Sequence, residues 1–396
     1  MEKEFILITS ANFPSGGAAA NYLNLFCKGL KENKKNISVW LLKGFAFGSK
    51  KVNKRRKNIS SDGISYIYLC AANRPLAMLN RIRDEMISFF RLIYYLLKLT
   101  NKRKSTSILL YNSELFFNIT IFIISKLLRI NIISFVSEFR DKSDYNTSFL
   151  RKLKWYGYLF NVYFLYRKSS QLIVFSSYLK ELYIRQGVYP EKIIVQPNLT
   201  DFDIWRTDEK PIKYTLGYSG TPTIKDGIID LFEAISVLRE NNIEITLLLI
   251  GDRLFGESLI PKLKEIAKTL NIADLITFTG LVATEEVKYY LAECKILTLT
   301  RPDIIQTQAG FPTKLGEYFA SGKQILVTNF GDINKYFIPS KEIVTANCGN
   351  IEDIAQKITW ILENPVESET IRQKGYLKAK EILAYQTNVK RILTRL

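Results

Sequence analysis

The chain has 396 residues, of which 47% are hydrophobic and 24% charged, and this composition predicts two or three soluble globular domains. It excludes disordered, collagen-like and coiled-coil proteins, and the four widely spaced cysteines exclude a small disulfide scaffold and predict reduced, buried thiols. Histidine is absent, which excludes Ser-His and Cys-His nucleophilic pairs, histidine-bearing zinc sites and an imidazole general base.

Strands alternate with helices along the first half of the chain. The predicted strands are Phe5–Thr9, Ile37–Leu41, Ile64–Leu69, Ile108–Tyr111, Ile132–Val136 and Leu172–Phe175. The predicted helices are Ala18–Leu30, Leu79–Leu99, Phe116–Leu128 and Ser177–Gln186. Alternation with helices of ten or more residues predicts a parallel sheet.

The second half repeats this alternation. Its predicted strands are Tyr214–Tyr218, Glu244–Ile250, Ile276–Phe278, Ile296–Thr300 and Ile325–Val327. Its predicted helices are Gly227–Arg239, Pro261–Leu270, Thr284–Glu293 and Thr313–Ala320, followed by two or three more up to Leu396. With a predicted linker at Pro197–Pro211, the fold class is α/β, with two Rossmann-like domains whose parallel sheets face each other across a cleft.

The positive charge is confined to the first half. Residues 1–200 carry 32 Lys and Arg against 12 Asp and Glu, a net charge of +20, whereas residues 201–396 carry 24 against 26, a net charge of −2. The basic half predicts an anionic partner, which could be phosphates, nucleic acid or an acidic lipid surface. The chain opens without a signal-peptide pattern and has no apolar run of about 18 residues, which predicts a cytoplasmic protein that does not cross a membrane.

Three loops at predicted strand ends could bind an anion. Gly16 and Gly17 follow the first strand, and their backbone N–H groups could approach a phosphate; the alternative is a tight turn. Gly220 to Lys225 precede a helix, where the lysine would add a cation or would simply be solvated. Gly251 and Arg253 follow another strand, where they could approach a ligand or form an ordinary turn.

The most informative segment is Arg301–Gly322. Gly310, Phe311 and Pro312 form a loop, and Thr313 could cap the helix that carries Lys314, Leu315 and Glu317. An acid among apolar helix residues is typical of a carboxylate that accepts hydrogen bonds from ligand hydroxyls. The alternative is an ion pair between Lys314 and Glu317 on the helix surface.

Three segments give the sequence a family resemblance. Ile193–Asp201 resembles the motif v-i-P-N-g-v-D, Lys225–Gly227 resembles K-D-G, and Gly310–Gly322 resembles G-F-P-x-K-x-x-E-Y-x-A-x-G. Together they resemble the family 4 (group 1) glycosyltransferases, which retain the anomeric configuration of a sugar transferred from a nucleotide donor and have the GT-B fold.

The resemblance implies a role for each segment. Lys225 would hold the donor diphosphate, Glu317 the ribose hydroxyls, and the amides around Gly310–Thr313 the sugar and phosphate, while Gly16 and Gly17 would face the diphosphate. It also implies three parts of the chain, which are an acceptor-binding domain at 1–198, a nucleotide-sugar-binding domain at 199–380, and a helix at 381–396 that returns to the first domain.

The sequence departs from the family pattern at three places. Ala309 replaces the first glutamate of the E-x7-E motif. The arginine usually found a few residues before the phosphate lysine is missing from Gly220–Ile224, so Arg253 or Arg301 could substitute as a cation. Glu138 lies at the end of a predicted strand where the family often has a histidine; it is either a catalytic residue or the ion-pair partner of Arg140 or Lys142.

Two further patterns are given structural interpretations. Asp201-Phe202-Asp203 spells the metal-binding D-x-D motif of a different glycosyltransferase fold, but it lies in the predicted linker. The basic run 50–57 resembles a nucleic-acid patch, but the sequence shows no nucleic-acid-binding module, so a solvated loop is predicted.

The resemblance predicts a metal-independent hexosyltransferase without a cofactor, which transfers sugar from a nucleotide-diphosphate-sugar to a lipid-linked or growing glycan acceptor in surface polysaccharide synthesis. A non-catalytic GT-B subunit that binds a sugar nucleotide or a partner enzyme is the alternative, and a dinucleotide-dependent oxidoreductase is disfavoured because G-x-G-x-x-G is missing.

Cations beside aromatic residues in the region Arg81–Lys104 predict peripheral contact with an anionic membrane. For Trp155–Tyr166 a buried helix is predicted instead.

Overall fold

The computed structural model describes residues 3–45, 56–102, 105–112, 114–145, 148–208, 210–253 and 256–396. The chain divides into two compact units. The first unit comprises Met1–Leu199 together with Tyr385–Leu396, and the second comprises Thr200–Ala384. The predicted basic run 50–57 lies almost wholly outside the described residues, as do Arg103 and Lys104.

The first unit contains an eight-stranded sheet. Its strands are β1 (Glu4–Thr9), β2 (Asn36–Leu41), β3 (Lys57–Ile59), β4 (Ser65–Tyr68), β5 (Thr106–Tyr111), β6 (Asn131–Val136), β7 (Gln171–Val174) and β8 (Ile193–Val195). They lie in the order β3-β4-β2-β1-β5-β6-β7-β8, and all neighbours are parallel except β3 and β4. The helices are α1 (Ala18–Glu32), α2 (Met78–Leu97), α3 (Leu115–Leu128), α4 (Phe149–Phe160), α5 (Ser177–Arg185) and, numbered along the whole chain, α14 (Tyr385–Leu393).

Helices cover both faces of this sheet, as the nearly continuous burial of its central strands β1, β5 and β6 requires. On one face α1 and the C-terminal helix α14 pack together, and a Cβ built on Gly29 would lie 2.7 Å from Cβ of Val389. On the other face α2 packs on β2, where the rings of Trp40 and Tyr95 lie 5.5 Å apart and Ser88 Oγ donates to the carbonyl of Leu42 at 2.8 Å.

The second unit contains a six-stranded, wholly parallel sheet. Its strands are β9 (Tyr214–Ser219), β10 (Leu247–Ile250), β11 (Ile276–Phe278), β12 (Cys294–Leu299), β13 (Gln324–Thr328) and β14 (Val344–Ala346), in the order β11-β10-β9-β12-β13-β14. The helices are α6 (Ile228–Glu240), α7 (Ile260–Thr269), α8 (Thr284–Ala292), α9 (Ile305–Gln308), α10 (Thr313–Ala320), α11 (Ile333–Tyr336), α12 (Ile351–Glu363) and α13 (Pro365–Leu383). Because β9 and β12 are adjacent, the loops that follow them meet at one edge of the sheet.

The boundary between the two units falls inside the predicted linker Pro197–Pro211, but part of this segment packs into the core of the second unit. The second unit begins at Thr200, and Phe202 and Trp205 are buried in its hydrophobic core. The ring of Phe202 packs edge-on against Tyr376 of α13 at 5.6 Å. Asp201 Oδ1 accepts a hydrogen bond from the backbone N–H of Asp203 at 3.1 Å, so this part of the D-x-D motif closes a turn.

Within the part of the chain that the structure describes, no helix combines the length and the hydrophobicity needed to span a bilayer.

Candidate functional site

A buried charge cluster lies where β9 and β12 end in the second unit. Its centre is Asp226, whose Oδ1 accepts from Arg301 Nε at 2.9 Å and lies 2.7 Å from the second guanidinium nitrogen, Nη2. Its Oδ2 accepts from Lys314 Nζ at 2.9 Å and lies 3.0 Å from the hydroxyl of Tyr218. One carboxylate therefore fixes two cations, one from the loop after β12 and one from helix α10.

The sequence places each member of the cluster by ordinary parallel-sheet geometry. Tyr218 is the penultimate residue of β9, Asp226 ends the loop that follows this strand, and Arg301 lies two residues after β12. Lys314 belongs to the first turn of α10, which follows the Gly310–Pro312 loop.

Electrostatics hold the cluster ionised. Although burial opposes ionisation of Asp226, the ammonium of Lys314 and the guanidinium of Arg301 bring the pKa of its carboxyl well below the ordinary range. Burial lowers the pKa of Lys314, and Asp226 acts against this lowering. Two cations against one carboxylate leave an excess of positive charge, which suits the binding of an anion.

Glycines allow the loops to approach these cations. A Cβ on Gly220 would lie 2.3 Å from Cε of Lys314, and Gly220 also has a positive φ of 118°. A Cβ on Gly227 would lie 1.7 Å from the carbonyl oxygen of Thr300. The backbone at the start of α6 therefore touches the segment that carries Arg301. Larger residues would separate the two loops that hold the cluster.

Lys225 lies beside this cluster in sequence but does not share its contacts. It belongs to the single helical turn Ile224–Asp226, three residues before α6 begins, and its side chain is partly exposed. No hydrogen bond or ion pair with another described residue holds its ammonium group. Lys225 is therefore a cation that remains available for a ligand.

Glu317 is the second group without a partner. It lies one turn after Lys314 in α10, and its carboxylate makes no hydrogen bond or ion pair with any described residue. Burial raises the pKa of Glu317 to about 7, while the charge of Lys314 acts in the opposite direction. The alternative ion pair between these two residues is absent from the described part of the chain, because Lys314 donates to Asp226 instead.

The loop before α10 brings small and apolar residues to the same region. Phe311 is buried and packs edge-on against Tyr336 at 5.7 Å, and Leu315 is fully buried. The prediction that Thr313 caps α10 is wrong, because Pro312 occupies the cap position and Thr313 is the first helical residue. The start of a helix is nevertheless a place where backbone N–H groups can bind an anion.

The remaining predicted cations of this unit occupy different environments. Arg301, predicted to bind the donor, is buried on Asp226. Arg253 is exposed, and the loop that carries it approaches the Gly220 loop, since a Cβ on Gly251 would lie 3.0 Å from the carbonyl oxygen of Gly220. Of these two arginines, Arg253 has the more accessible guanidinium.

The predicted site residues of the first unit also lie at strand ends. Gly16 and Gly17 connect β1 to α1, both with positive φ, and a Cβ on Gly17 would meet no atom within 4 Å. Glu138 follows β6, and its Oε1 lies 3.4 Å from Nε of Arg140. This geometry agrees with the ion-pair interpretation of Glu138, and its catalytic role stays a prediction.

Sequence comparison characterises the second unit. Residues 200–378 match the family model of the glycosyl transferases, group 1. This segment covers nearly all of Thr200–Ala384 and includes Lys225, Asp226, Arg301, Lys314 and Glu317. No curated protein is significantly similar in sequence to the chain.

Solved structures extend the likeness to the whole chain. HepE from Anabaena, in complex with UDP, has a TM-score of 0.71 at 16% identity, covering 99% of this chain and 100% of HepE. Sucrose-phosphate synthase from Thermosynechococcus elongatus has a TM-score of 0.74 at 13% identity over 99% and 98% of the two chains. The lipopolysaccharide outer core galactosyltransferase WaaB has a TM-score of 0.63 at 16% identity over 99% and 100%. The fold is GT-B.

Within this GT-B fold, Asp226 and Tyr218 are functional candidates that the motifs did not indicate. Asp226 was visible only as the middle residue of Lys225–Gly227, where an acid beside a lysine suggests solvent exposure. Its importance emerges once the fold brings Arg301 and Lys314 to it, since no spacing in the sequence links these three residues.

Proposed function

We propose that this protein is a glycosyltransferase that takes a sugar from a nucleotide-diphosphate-sugar, with a UDP-sugar as its donor. The observation that carries the proposal is the charge cluster around Asp226, which lies inside the group 1 match. Lys225 is next to Asp226 in sequence and Glu317 is three residues after Lys314, and neither has a partner among the described residues. HepE, which shares the fold, has been solved with UDP and with UDP-glucose, and this supports a uridine nucleotide as the donor.

The cluster supplies what the departure of a nucleoside diphosphate needs. Negative charge develops on the diphosphate as its bond to the sugar breaks, and Lys225 with the amides at the start of α10 stabilises this charge. Asp226 keeps Lys314 and Arg301 charged and oriented, so their excess positive charge adds to the field. Glu317 accepts hydrogen bonds from the ribose hydroxyls when ionised.

The proposed reaction retains the anomeric configuration and needs no metal. The bond between the anomeric carbon and the phosphate oxygen breaks, and the acceptor oxygen forms the new bond on the same face. The acceptor hydroxyl proton passes to the leaving phosphate oxygen, so no protein base is required in a chain without histidine. Cations and amides then replace the metal as the partner of the diphosphate.

The proposed acceptor is a lipid-linked or growing glycan of surface polysaccharide synthesis. WaaB, which acts on the lipopolysaccharide outer core, shares the fold at full coverage, and this supports such an acceptor. The basic first unit is the part of the chain proposed to bind it.

A non-catalytic subunit is the second candidate, and Ala309 favours it. This residue replaces the first glutamate of the motif and is fully buried, so no side chain at position 309 reaches a donor sugar. Such a subunit would bind the nucleotide sugar without hydrolysing or transferring it.

Activity measurements on the purified chain test the proposal. A thermal-shift panel of UDP-, GDP-, ADP- and dTDP-sugars identifies the donor, which is then assayed for hydrolysis and transfer, with and without EDTA. Lys225→Ala and Glu317→Ala are each expected to lower kcat/KM by about 100-fold, whereas Lys262→Ala, at an exposed lysine of the same unit, leaves it unchanged.

The outcomes separate the candidates. Transfer that survives EDTA and is lost in both site variants supports a metal-independent enzyme. Donor binding without hydrolysis or transfer supports the non-catalytic subunit, and full activity in folded Lys225→Ala overturns the role given to this lysine.

A further inference from the structure

Helix α2 of the first unit exposes a row of large apolar side chains. The row recurs every three or four residues, so it follows one side of the helix, and every member is at least 50% exposed: Leu79, Ile82, Met86, Phe90, Tyr94 and Leu97. The opposite side of α2 is buried through Ser88, Leu92 and Leu96. The helix is therefore apolar both toward the sheet and toward solvent.

Two neighbouring helices repeat this pattern. Phe116, Ile123 and Leu127 are exposed along α3. Along α4 and the π-helical turn that continues it, Asn161–Leu165, the exposed row is Phe149, Leu153, Tyr156, Phe160 and Phe164. The prediction of a buried helix at Trp155–Tyr166 is thus only partly correct, because Trp155, Val162 and Leu165 face the interior while Tyr156, Phe160 and Phe164 do not.

The three helices lie side by side. The rings of Phe89 in α2 and Phe117 in α3 lie 6.3 Å apart, and a Cβ on Gly157 in α4 would lie 3.5 Å from Cβ of Leu115 in α3. Residues 76–164, less than a quarter of the chain, hold 18 of the 30 large apolar side chains that are exposed among the described residues. We call the exposed side of these three helices the helical face.

Cations accompany the helical face. Residues 76–168 contain 16 Lys and Arg against 6 Asp and Glu. Exposed cations on or flanking the three helices include Arg81, Arg83, Lys98, Lys126, Arg129, Arg151, Lys152 and Lys154. None of these eight is paired with a carboxylate of the described residues, and Lys98 Nζ lies 4.6 Å from the ring centre of Tyr94.

We propose that the helical face docks the protein on an anionic membrane surface. Rows of apolar side chains lie beside lysines and arginines that no described carboxylate pairs with, and this combination suits the surface of an anionic bilayer. The apolar side chains would insert at the boundary between headgroups and acyl chains, while the cations would bind lipid phosphates. The same cations disfavour a second copy of the chain as the occupant, since two such faces would repel each other. The proposal goes beyond sugar transfer and does not depend on nucleotide binding.

Vesicle sedimentation with the full chain and no nucleotide tests this docking. The chain is expected to co-sediment with vesicles of phosphatidylglycerol and phosphatidylcholine at low salt, to be released at high salt, and to leave pure phosphatidylcholine vesicles unbound. Phe90→Ser and Phe160→Ser should each weaken partitioning about tenfold, and Arg83→Glu with Lys154→Glu should weaken it at least as much.

Matched substitutions in the second unit serve as controls. Leu377→Ser and Lys262→Glu remove an exposed apolar residue and an exposed cation there, and both are expected to bind vesicles like the wild type. Equal binding to neutral and anionic vesicles, no binding to either, or unchanged binding by the helical-face variants would overturn the proposal. So would a dimer in size-exclusion chromatography that Phe90→Ser converts to a monomer, because the face would then be occupied by a second copy.

Discussion

Asp226 is a buried carboxylate that holds two cations of the second unit in place. Its side chain is 6% exposed, and those of Arg301 and Lys314 are 10% and 16% exposed. Removal of one member from such a network leaves buried charge without compensation, which costs far more than the loss of an exposed pair. The three residues therefore act as a unit that contributes to stability, and its role in donor binding is the one proposed above.

We expect Asp226→Asn to lower the free energy of unfolding by about 3 kcal/mol, because Lys314 and Arg301 would remain buried without a counter-charge. Urea unfolding followed by circular dichroism measures the change. Asp274→Asn is the control, since Asp274 pairs with Arg239 with its side chain 62% exposed, and we expect it to cost less than about 1 kcal/mol. Equal effects of the two substitutions would contradict the account of the cluster.

Glu317 gives the second unit a dependence on pH. Burial raises the pKa of its carboxyl from 4.5 to about 7, so the folded chain binds more protons than the unfolded chain between these values. The contribution of Glu317 to stability is then most favourable below pH 4.5, falls as the pH rises toward about 7, and is constant above. Ligand hydroxyls that donate to Glu317 would favour the ionised form.

We therefore expect the affinity for UDP-glucose to rise by roughly tenfold between pH 5.5 and pH 8, because the donor binds the ionised form of Glu317. A nucleotide sugar is the right probe, since its diphosphate is esterified at both ends and does not titrate in this range. Calorimetric titrations across this range measure the trend. Glu317→Gln should bind with an affinity that varies little with pH, and a slope as steep as in the wild type would contradict the assignment.

At the scale of elements, the long strands and helices followed from hydrophobic patterning. The predicted strand Ile276–Phe278 and the predicted helix Thr313–Ala320 match β11 and α10, and most other long elements differ by a few residues at their ends. The three-residue strands β3 and β14 were not predicted, and Ile193–Val195 was interpreted as a connecting motif rather than as β8. Such short edge strands carry too few residues to show a period, and they form only through pairing with a neighbour.

The candidate site was predicted in part. Loops at strand ends led to the prediction of Lys225 and the glycines, because strand ends of a parallel sheet are where ligands bind. Glu317 was predicted as an acid among the apolar residues of a helix. The partners of Lys314 could not be predicted, since Asp226 lies 88 positions away in sequence and meets it only through the adjacency of β9 and β12. Likewise, the burial of Phe202 in the predicted linker depends on Tyr376 in α13.

The contact between α1 and α14 offers a test at this scale. We expect Gly29→Ala to destabilise the protein by about 1–3 kcal/mol, because the new Cβ would lie 2.7 Å from Cβ of Val389. The double variant Gly29→Ala with Val389→Ala should lose less stability than the sum of the single changes. Thermal unfolding of the four proteins measures this coupling.

Gly157→Ala is the matched control, since it is also a glycine-to-alanine change within a helix. Its Cβ would meet Leu115 at an ordinary 3.5 Å, so we expect it to be neutral or to stabilise α4 slightly. A Gly29→Ala protein as stable as Gly157→Ala would contradict the close packing of α14 on α1.

At the scale of the whole molecule, the resemblance in the sequence is confirmed in its coarser form. Residues 200–378 match the family model of the group 1 glycosyl transferases, and the GT-B fold extends over 99% of the chain. Membership of family 4, retention and the acceptor stay predictions. The net charge also differs between the units, since residues 1–200 carry +20, whereas the second unit, to which the proposed donor site belongs, carries 21 Lys and Arg against 26 Asp and Glu, a net charge of −5.

The most direct test of the central claim is calorimetric titration of UDP-glucose into the full chain at pH 8, with wild type and Lys225→Ala side by side. The account predicts saturable binding by the wild type and an affinity at least tenfold lower in a folded Lys225→Ala protein, because this cation then no longer meets the diphosphate. No saturable binding of UDP-glucose by the wild type, or equal affinity in both proteins, would contradict it.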